Sequence, residues 1–398
     1  MLKMKQKLYG LVFVVIVFAN FSFAADAFFE NKILFKRPSV ADHYRGPFIT
    51  QYSDGKIVVS AILKLGHCRD VGGVEKIICK YSTDDGLTWQ DSNDFIDVAD
   101  VVDNQTDTGW NIRRHWPMNI DVNKPMTEEW MINNPQKGIE LGAWAKIASS
   151  KNNGKTWQNV DVTKDFFIYK DIGLAWFIGH GIQLQKGKYA GRLIIPGRYF
   201  GTKWDRVGQS CHNTLIYSDD HGKTWQWGGS SQGCCGEGCV VELSDGSVYL
   251  NNRNHDPNTQ GYRSYSISKD GGKTFTEFGT DYNLPEPKCH ASIVRYNFPE
   301  SNTPGRVLFL NPAVSIKGKG LAPQEGRKNL TVKLSYDDCK TWPVAKIIHA
   351  GKGGYSDIIV TNKGTVLCAF ESGTEGAAED ITLVRFNIDW LEDKEKSK

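Results

Sequence analysis

Apolar residues along this chain come in short runs, and turn signals cut each run off. KIVVSAIL from Lys56, GRLIIPG from Gly191, CVVELSDGSVYL from Cys239, RVLFL from Arg306 and DIIVTNKGTVLCAF from Asp357 all read as strands. Two of these runs have a hairpin signal at the centre, Ser244-Asp245-Gly246 and Asn362-Lys363-Gly364. No long segment sustains helical periodicity. The pattern predicts an all-β chain.

A second pattern organises these strands. Ser-x-Asp-x-Gly-x-Thr-Trp recurs at Ser82–Trp89, Ser150–Trp157, Ser218–Trp225, Ser268–Phe275 and Ser335–Trp342. Asn152 replaces Asp in the second copy, Phe275 replaces Trp in the fourth, and Cys339 replaces Gly in the fifth. Each copy has turn chemistry: a short polar side chain, a residue permissive of positive φ, then an aromatic anchor. The starts lie 68, 68, 50 and 67 residues apart, roughly the length of a four-stranded sheet with its loops. Such a period predicts a propeller or array whose units bury their faces against one another. The copies resemble the Asp boxes of sialidases, which fold as six-bladed β-propellers with the boxes on the rim. That resemblance implies a structural role for the box carboxylates. Asp boxes also occur in other propellers, so they bear on fold more than on activity.

Composition refines this picture in three ways. Lys3, Lys5 and Lys7 precede an apolar run from Leu8 to Phe18, with small residues following at Ser22, Ala24, Ala25 and Ala27. Residues 1–24 therefore read as a secretory signal peptide cleaved near Ala24 to Ala27, leaving one propeller domain over 28–390 and no stable membrane span. The formal charge of +3 equals the three leader lysines, so the mature chain is balanced and nothing points to nucleic acid. Nine cysteines in an exported chain suggest disulfides, with at least one of Cys234, Cys235 and Cys239 expected to be oxidised. That cluster lacks a second Cys/His pair at ligand spacing, so no metal and no cofactor is assigned.

Six segments resemble sialidase motifs in order along the chain. Tyr44-Arg45-Gly46-Pro47 matches the Phe/Tyr-Arg-Ile-Pro start, with Gly46 departing from the usual Ile or Val. His67-Cys68-Arg69-Asp70 falls where the family keeps its acid/base aspartate. Glu237-Gly238-Cys239-Val240-Val241-Glu242-Leu243 matches the stretch around the catalytic glutamate. Asn251-Asn252-Arg253 and Arg327, ahead of the fifth box, match the second and third arginines. Gly354-Tyr355-Ser356 matches the motif of the nucleophilic tyrosine. The resemblance implies Asp70, Glu237 and Tyr355 as catalytic residues and Arg45, Arg253 and Arg327 as substrate-binding residues. His180 is read as a hydrogen-bonding loop residue, and Arg192 has no clamp motif.

The chemistry fits these residue types. A sialic acid bears a carboxylate on its anomeric carbon, and three converging guanidinium groups grip a carboxylate through planar, charge-assisted bonds. A carboxylate nucleophile would be repelled there, whereas a neutral tyrosine hydroxyl needs only a base to activate it. The family is a known exception among glycosidases for this reason. The expectation is a secreted or periplasmic exo-α-sialidase (lumenal or lysosomal in a eukaryote) acting on sialylated glycans. The alternatives are a non-catalytic glycan-binding propeller, and a glycosidase or transferase for a related keto-acid sugar.

Overall fold

Twenty-five strands, all paired antiparallel, make up most of the residues described by the structure, a computed structural model: 26–66, 74–92, 98–115, 134–140, 143–169, 173–177, 179–200, 211–317 and 322–393. Helix among them is confined to short turns, the longest being Pro135–Glu140. The strands form five sheets in a propeller-like arrangement. One sheet runs His43–Gln51, Ile57–Leu65, Val74–Ser82, Gln90–Ser92, and the next Val101–Asp103, Thr108–His115, Trp144–Ser150, Gln158–Asp161. A third is built on Leu193–Phe200 and Cys211–Ser218, and a fourth runs Cys235–Glu242, Val248–Asn254, Tyr262–Ser268, Glu277–Pro285.

The fifth sheet has seven strands, because Val344–Val360 serves two neighbours. Its first half, to Lys352, pairs with Lys328–Ser335, and its second half pairs with Val366–Gly373. The early strand Phe29–Phe35 closes this sheet against Asp380–Phe386, in the register Phe29 opposite Phe386. First and last portions of the chain thus share a sheet, which ties the ring shut.

Each repeated motif lies at the turn between one strand and its next antiparallel neighbour in the same sheet. In the first, Ser82 Oγ accepts the Gly86 N–H at 2.9 Å, and the Asp84 carboxylate accepts the Thr88 N–H at 2.9 Å. The same pair of bonds recurs in the other four copies. Chiefly the Thr88 hydroxyl holds the Asp84 carboxyl down at about 2, so this group is committed to its turn. Cys339 takes φ +67°, the left-handed region used by glycine in the other copies, so the departure in sequence leaves the turn intact. Strand register places the turns away from the opposite strand ends: Ser82 pairs with Ile57, which pairs with Gln51, while Arg45 pairs with Ile62. The six residue steps from Arg45 to Gln51 span about 20 Å.

Apolar residues between the sheets hold the units together. Ile49, Ile57 and Val59 pack with Leu367, Ala369 and Leu383, joining the first sheet to the seven-stranded one. The box aromatics take part: Trp342 packs with Phe309, Leu284 and Val241, and Phe275 with Leu215, Val240 and Leu250.

Candidate active site

Three strands from three sheets each gain one residue over their partner, and a candidate residue stands at each gain. Pairing jumps from Arg45–Ile62 to Phe48–Ser60, from Cys235–Asn254 to Gly238–Asn252, and from Gly353–Ser372 to Ser356–Phe370. A bulge of this kind bends the strand and re-aims a side chain out of the regular pleat. The first is eased by Gly46 at φ +56°, a conformation that the family's usual Ile or Val would resist. The bulges direct Arg45, Glu237 and Tyr355 to one place.

There the Tyr355 hydroxyl donates to Glu237 Oε1 at 2.5 Å. Arg253, across from the Glu237 bulge, donates through Nη1 to Glu237 Oε2 at 2.5 Å and to Tyr355 Oη at 3.1 Å. The guanidinium carbons of Arg45 and Arg327 each lie 5.5 Å from the centre of the Tyr355 ring. Arg327 donates weakly to the Lys288 carbonyl at 3.4 Å, while its buried Nε finds no hydrogen-bond partner among the described residues. All three arginines of the expected clamp therefore converge on the tyrosine–glutamate pair.

A wholly buried acid, Glu371, organises this group. Its Oε1 accepts from Arg45 Nε at 2.9 Å and from the Gly46 N–H at 3.0 Å, and its Oε2 accepts the Tyr355 N–H at 2.9 Å. A Cβ on Gly354 would stand 2.3 Å from that second oxygen. Gly353 and Gly354 lie within a strand, so Gly354 serves close approach here rather than an open turn.

Electrostatics sharpen the roles. Burial alone would raise the Glu237 carboxyl, but Arg253, then Arg198, with smaller contributions from His290 and the Tyr355 hydroxyl, hold it well below the usual carboxylate range. Burial, reinforced by the Glu237 charge, pushes the Tyr355 phenol up. The proton thus rests on the tyrosine beside an ionised acceptor. The His290 ring stacks on Tyr355 with centroids 5.3 Å apart, and burial keeps it below its ordinary value.

Five of the six expected residues meet in this way, while Asp70 lies outside the described residues. Glu237 sits in strand Cys235–Glu242 at 4% exposure, so it is a strand residue rather than a solvated loop carboxylate. Among the described residues no disulfide forms, and Cys235 and Cys239 are buried thiols. The strand and its bulge, not an oxidised cysteine, hold the Glu237 backbone. His180 is a hydrogen-bonding residue as expected, with Nδ1 2.6 Å from Asp357 Oδ1. Sequence reasoning did not find Glu371, His290 or Arg198, which carry no motif and matter only through partners distant in the chain.

Comparison with known proteins bears on the family of this chain. A family model described as a BNR repeat-like domain matches residues 127–368. A sialidase from Micromonospora viridifaciens is 32% identical over 88% of this chain and 52% of its own length. One from Bacteroides fragilis is 26% identical over 86% and 61%. An exo-alpha-sialidase from Aspergillus fumigatus is 30% identical over 62% and 56%. The chain thus spans between half and two thirds of these relatives' lengths. A Hadza microbial sialidase superposes with TM-score 0.69 at 22% identity, over 88% of this chain and 66% of that one. The intramolecular trans-sialidase from Ruminococcus gnavus superposes at 0.67 with 16% identity, over 92% and 98%, a likeness of fold. With its repeats and its relatives taken together, the chain belongs to the sialidase family with BNR repeats.

Proposed function

We propose that this protein is an exo-α-sialidase that removes terminal sialic acids from glycans with net retention, through a sialyl intermediate on Tyr355. The observation that carries the reading is the Tyr355 Oη to Glu237 Oε1 bond of 2.5 Å with Arg253 across both groups. In the first step Tyr355 Oη bonds to the anomeric carbon as its proton passes to Glu237 Oε1. The bond to the leaving oxygen breaks, and Asp70 supplies the proton that oxygen takes up. In the second step water, deprotonated by Asp70, displaces Tyr355, which recovers its proton from Glu237. Arg45, Arg253 and Arg327 grip the sugar's carboxylate throughout.

Arg253 links binding to chemistry in this scheme. Free, its charge depresses the basicity of Glu237. A bound carboxylate offsets that charge, so Glu237 becomes a better base only when substrate is in place. Neither the non-catalytic propeller nor the keto-acid alternative accounts for this arrangement better. The test is turnover of a fluorogenic sialoside beside its deaminated analogue. Activity on the sialoside supports the reading, and inertness toward it with turnover of the analogue would replace it.

The six-bladed expectation belongs to the same proposal. We read the seven-stranded sheet as two blades that share Val344–Val360, whose halves pair with different neighbours. We also propose that residues 1–24 are removed on export, which N-terminal sequencing of the mature protein would test.

A further inference from the structure

A fourth arginine reaches the catalytic pair from the third sheet. Arg198, on strand Leu193–Phe200, brings Nη1 to 3.7 Å from Glu237 Oε1, the oxygen that accepts the Tyr355 hydroxyl. Its guanidinium carbon lies 5.1 Å from the Phe200 ring centre, and its side chain is 17% exposed. Arg253 holds the other carboxylate oxygen from strand Val248–Asn254. The two cations differ in what a substrate does to them. Arg253 also belongs to the clamp, so a bound carboxylate offsets its charge. Arg198 approaches the other carboxylate oxygen, the one that must take the proton.

Among the described residues, the other neighbours are poorer sources of that charge. His290 stacks on Tyr355, and burial lowers its ring below its ordinary value, so it is a weaker cation than a guanidinium. Burial, with Arg253 adding to it, takes His255 down to about 3. Cys211 and Cys289 remain neutral thiols, pushed by burial to about 12 and about 11. Once the clamp is filled, Arg198 is the guanidinium left beside Glu237 among these described neighbours. We infer that Arg198 is a positioning residue that keeps Glu237 ionised, with Oε1 held toward Tyr355, while substrate occupies Arg253. It neither gives nor takes a proton: the proton moves from Tyr355 Oη to Glu237 Oε1 and back.

This inference rests on the roles proposed for Tyr355 and Glu237, and its test separates the two. The acid limb of kcat against pH reports ionisation in the substrate complex. Glu237 must be ionised to act as base, so loss of Arg198 raises its titration and moves the acid limb upward. The shift expected for Arg198→Gln is about 1 pH unit, with KM little changed. Arg198→Lys should bring the limb most of the way back. Superimposed limbs overturn the inference, as does a raised KM with an unmoved limb, which would make Arg198 a substrate contact. If Arg198→Gln fails to fold by circular dichroism, Arg198→Met carries the same expectation. Carboxyl-carbon NMR of Glu237, assigned with Glu237→Gln and recorded with the unsaturated sialic acid analogue, reads the same shift without turnover. A wild type that hydrolyses no sialoside contradicts the proposed function, while an unmoved Glu237 titration contradicts the role of Arg198.

Discussion

At the scale of single residues, the account depends on one proton shared between Tyr355 and Glu237, and on three arginines around them. Arg327→Lys keeps the charge but loses the fork that meets a carboxylate through two parallel bonds. Titration calorimetry with the unsaturated sialic acid analogue should show a loss of about 1.5 to 3 kcal/mol, the scale of one charge-assisted bond. Equal affinity in both proteins would place the carboxylate elsewhere. Arg192→Lys should behave in the opposite way. Arg192 is buried, held by Asp219 at 2.7 and 2.8 Å, and covered by the Tyr189 and Tyr217 rings at 4.3 and 4.2 Å. Its replacement should lower the melting temperature and leave inhibitor affinity alone. Motif order made Arg45, Glu237, Arg253, Arg327 and Tyr355 legible in the sequence. It said nothing of Glu371 or Arg198, because a buried acid 326 residues from Arg45 leaves no local signal.

At the scale of elements, the site is made by three bulges, and these were not legible. A bulge is a mismatch between two strands, and neither strand carries it alone. The strands themselves were legible: CVVELSDGSVYL reads as a hairpin and folds as Cys235–Glu242 paired with Val248–Asn254. The turns were legible too, down to the serine and aspartate side chains that close them. Gly354→Ala tests whether the third bulge positions Tyr355. A new Cβ would meet Glu371 Oε2, so that carboxylate must leave the Tyr355 N–H and shift its hold on Arg45. We expect kcat/KM to fall about 10-fold or more, the cost of a misplaced catalytic group, with the protein still folded. Activity near wild type would show that Glu371 supports the strand without positioning the tyrosine.

At the scale of the whole molecule, a ring of sheets brings residues from both ends of the sequence to one centre, and the repeat spacing was enough to anticipate it. What the spacing could not convey is that Val344–Val360 runs unbroken between two neighbours. His180 and Asp357 pair across this ring, and their bond should show in the pH dependence of stability. Burial opposes protonation of His180, but the Asp357 carboxylate outweighs it and raises the imidazole above its ordinary value. Its contribution is therefore complete below about pH 6.5, the unfolded value, and is lost as pH rises through the higher folded value. Melting temperatures between pH 5.5 and 8.5 should decline with pH, apart from other titrations, and the decline should flatten in His180→Gln. An identical slope in both proteins would remove the pair from the balance. The central claim, that Tyr355 attacks the sugar, is tested most directly by trapping. A fluorinated sialosyl donor, which slows the second step, should leave a sialyl mass on the peptide that contains Tyr355 when the protein is digested and sequenced by mass spectrometry. An adduct on Glu237, or on any residue other than Tyr355, would contradict the account.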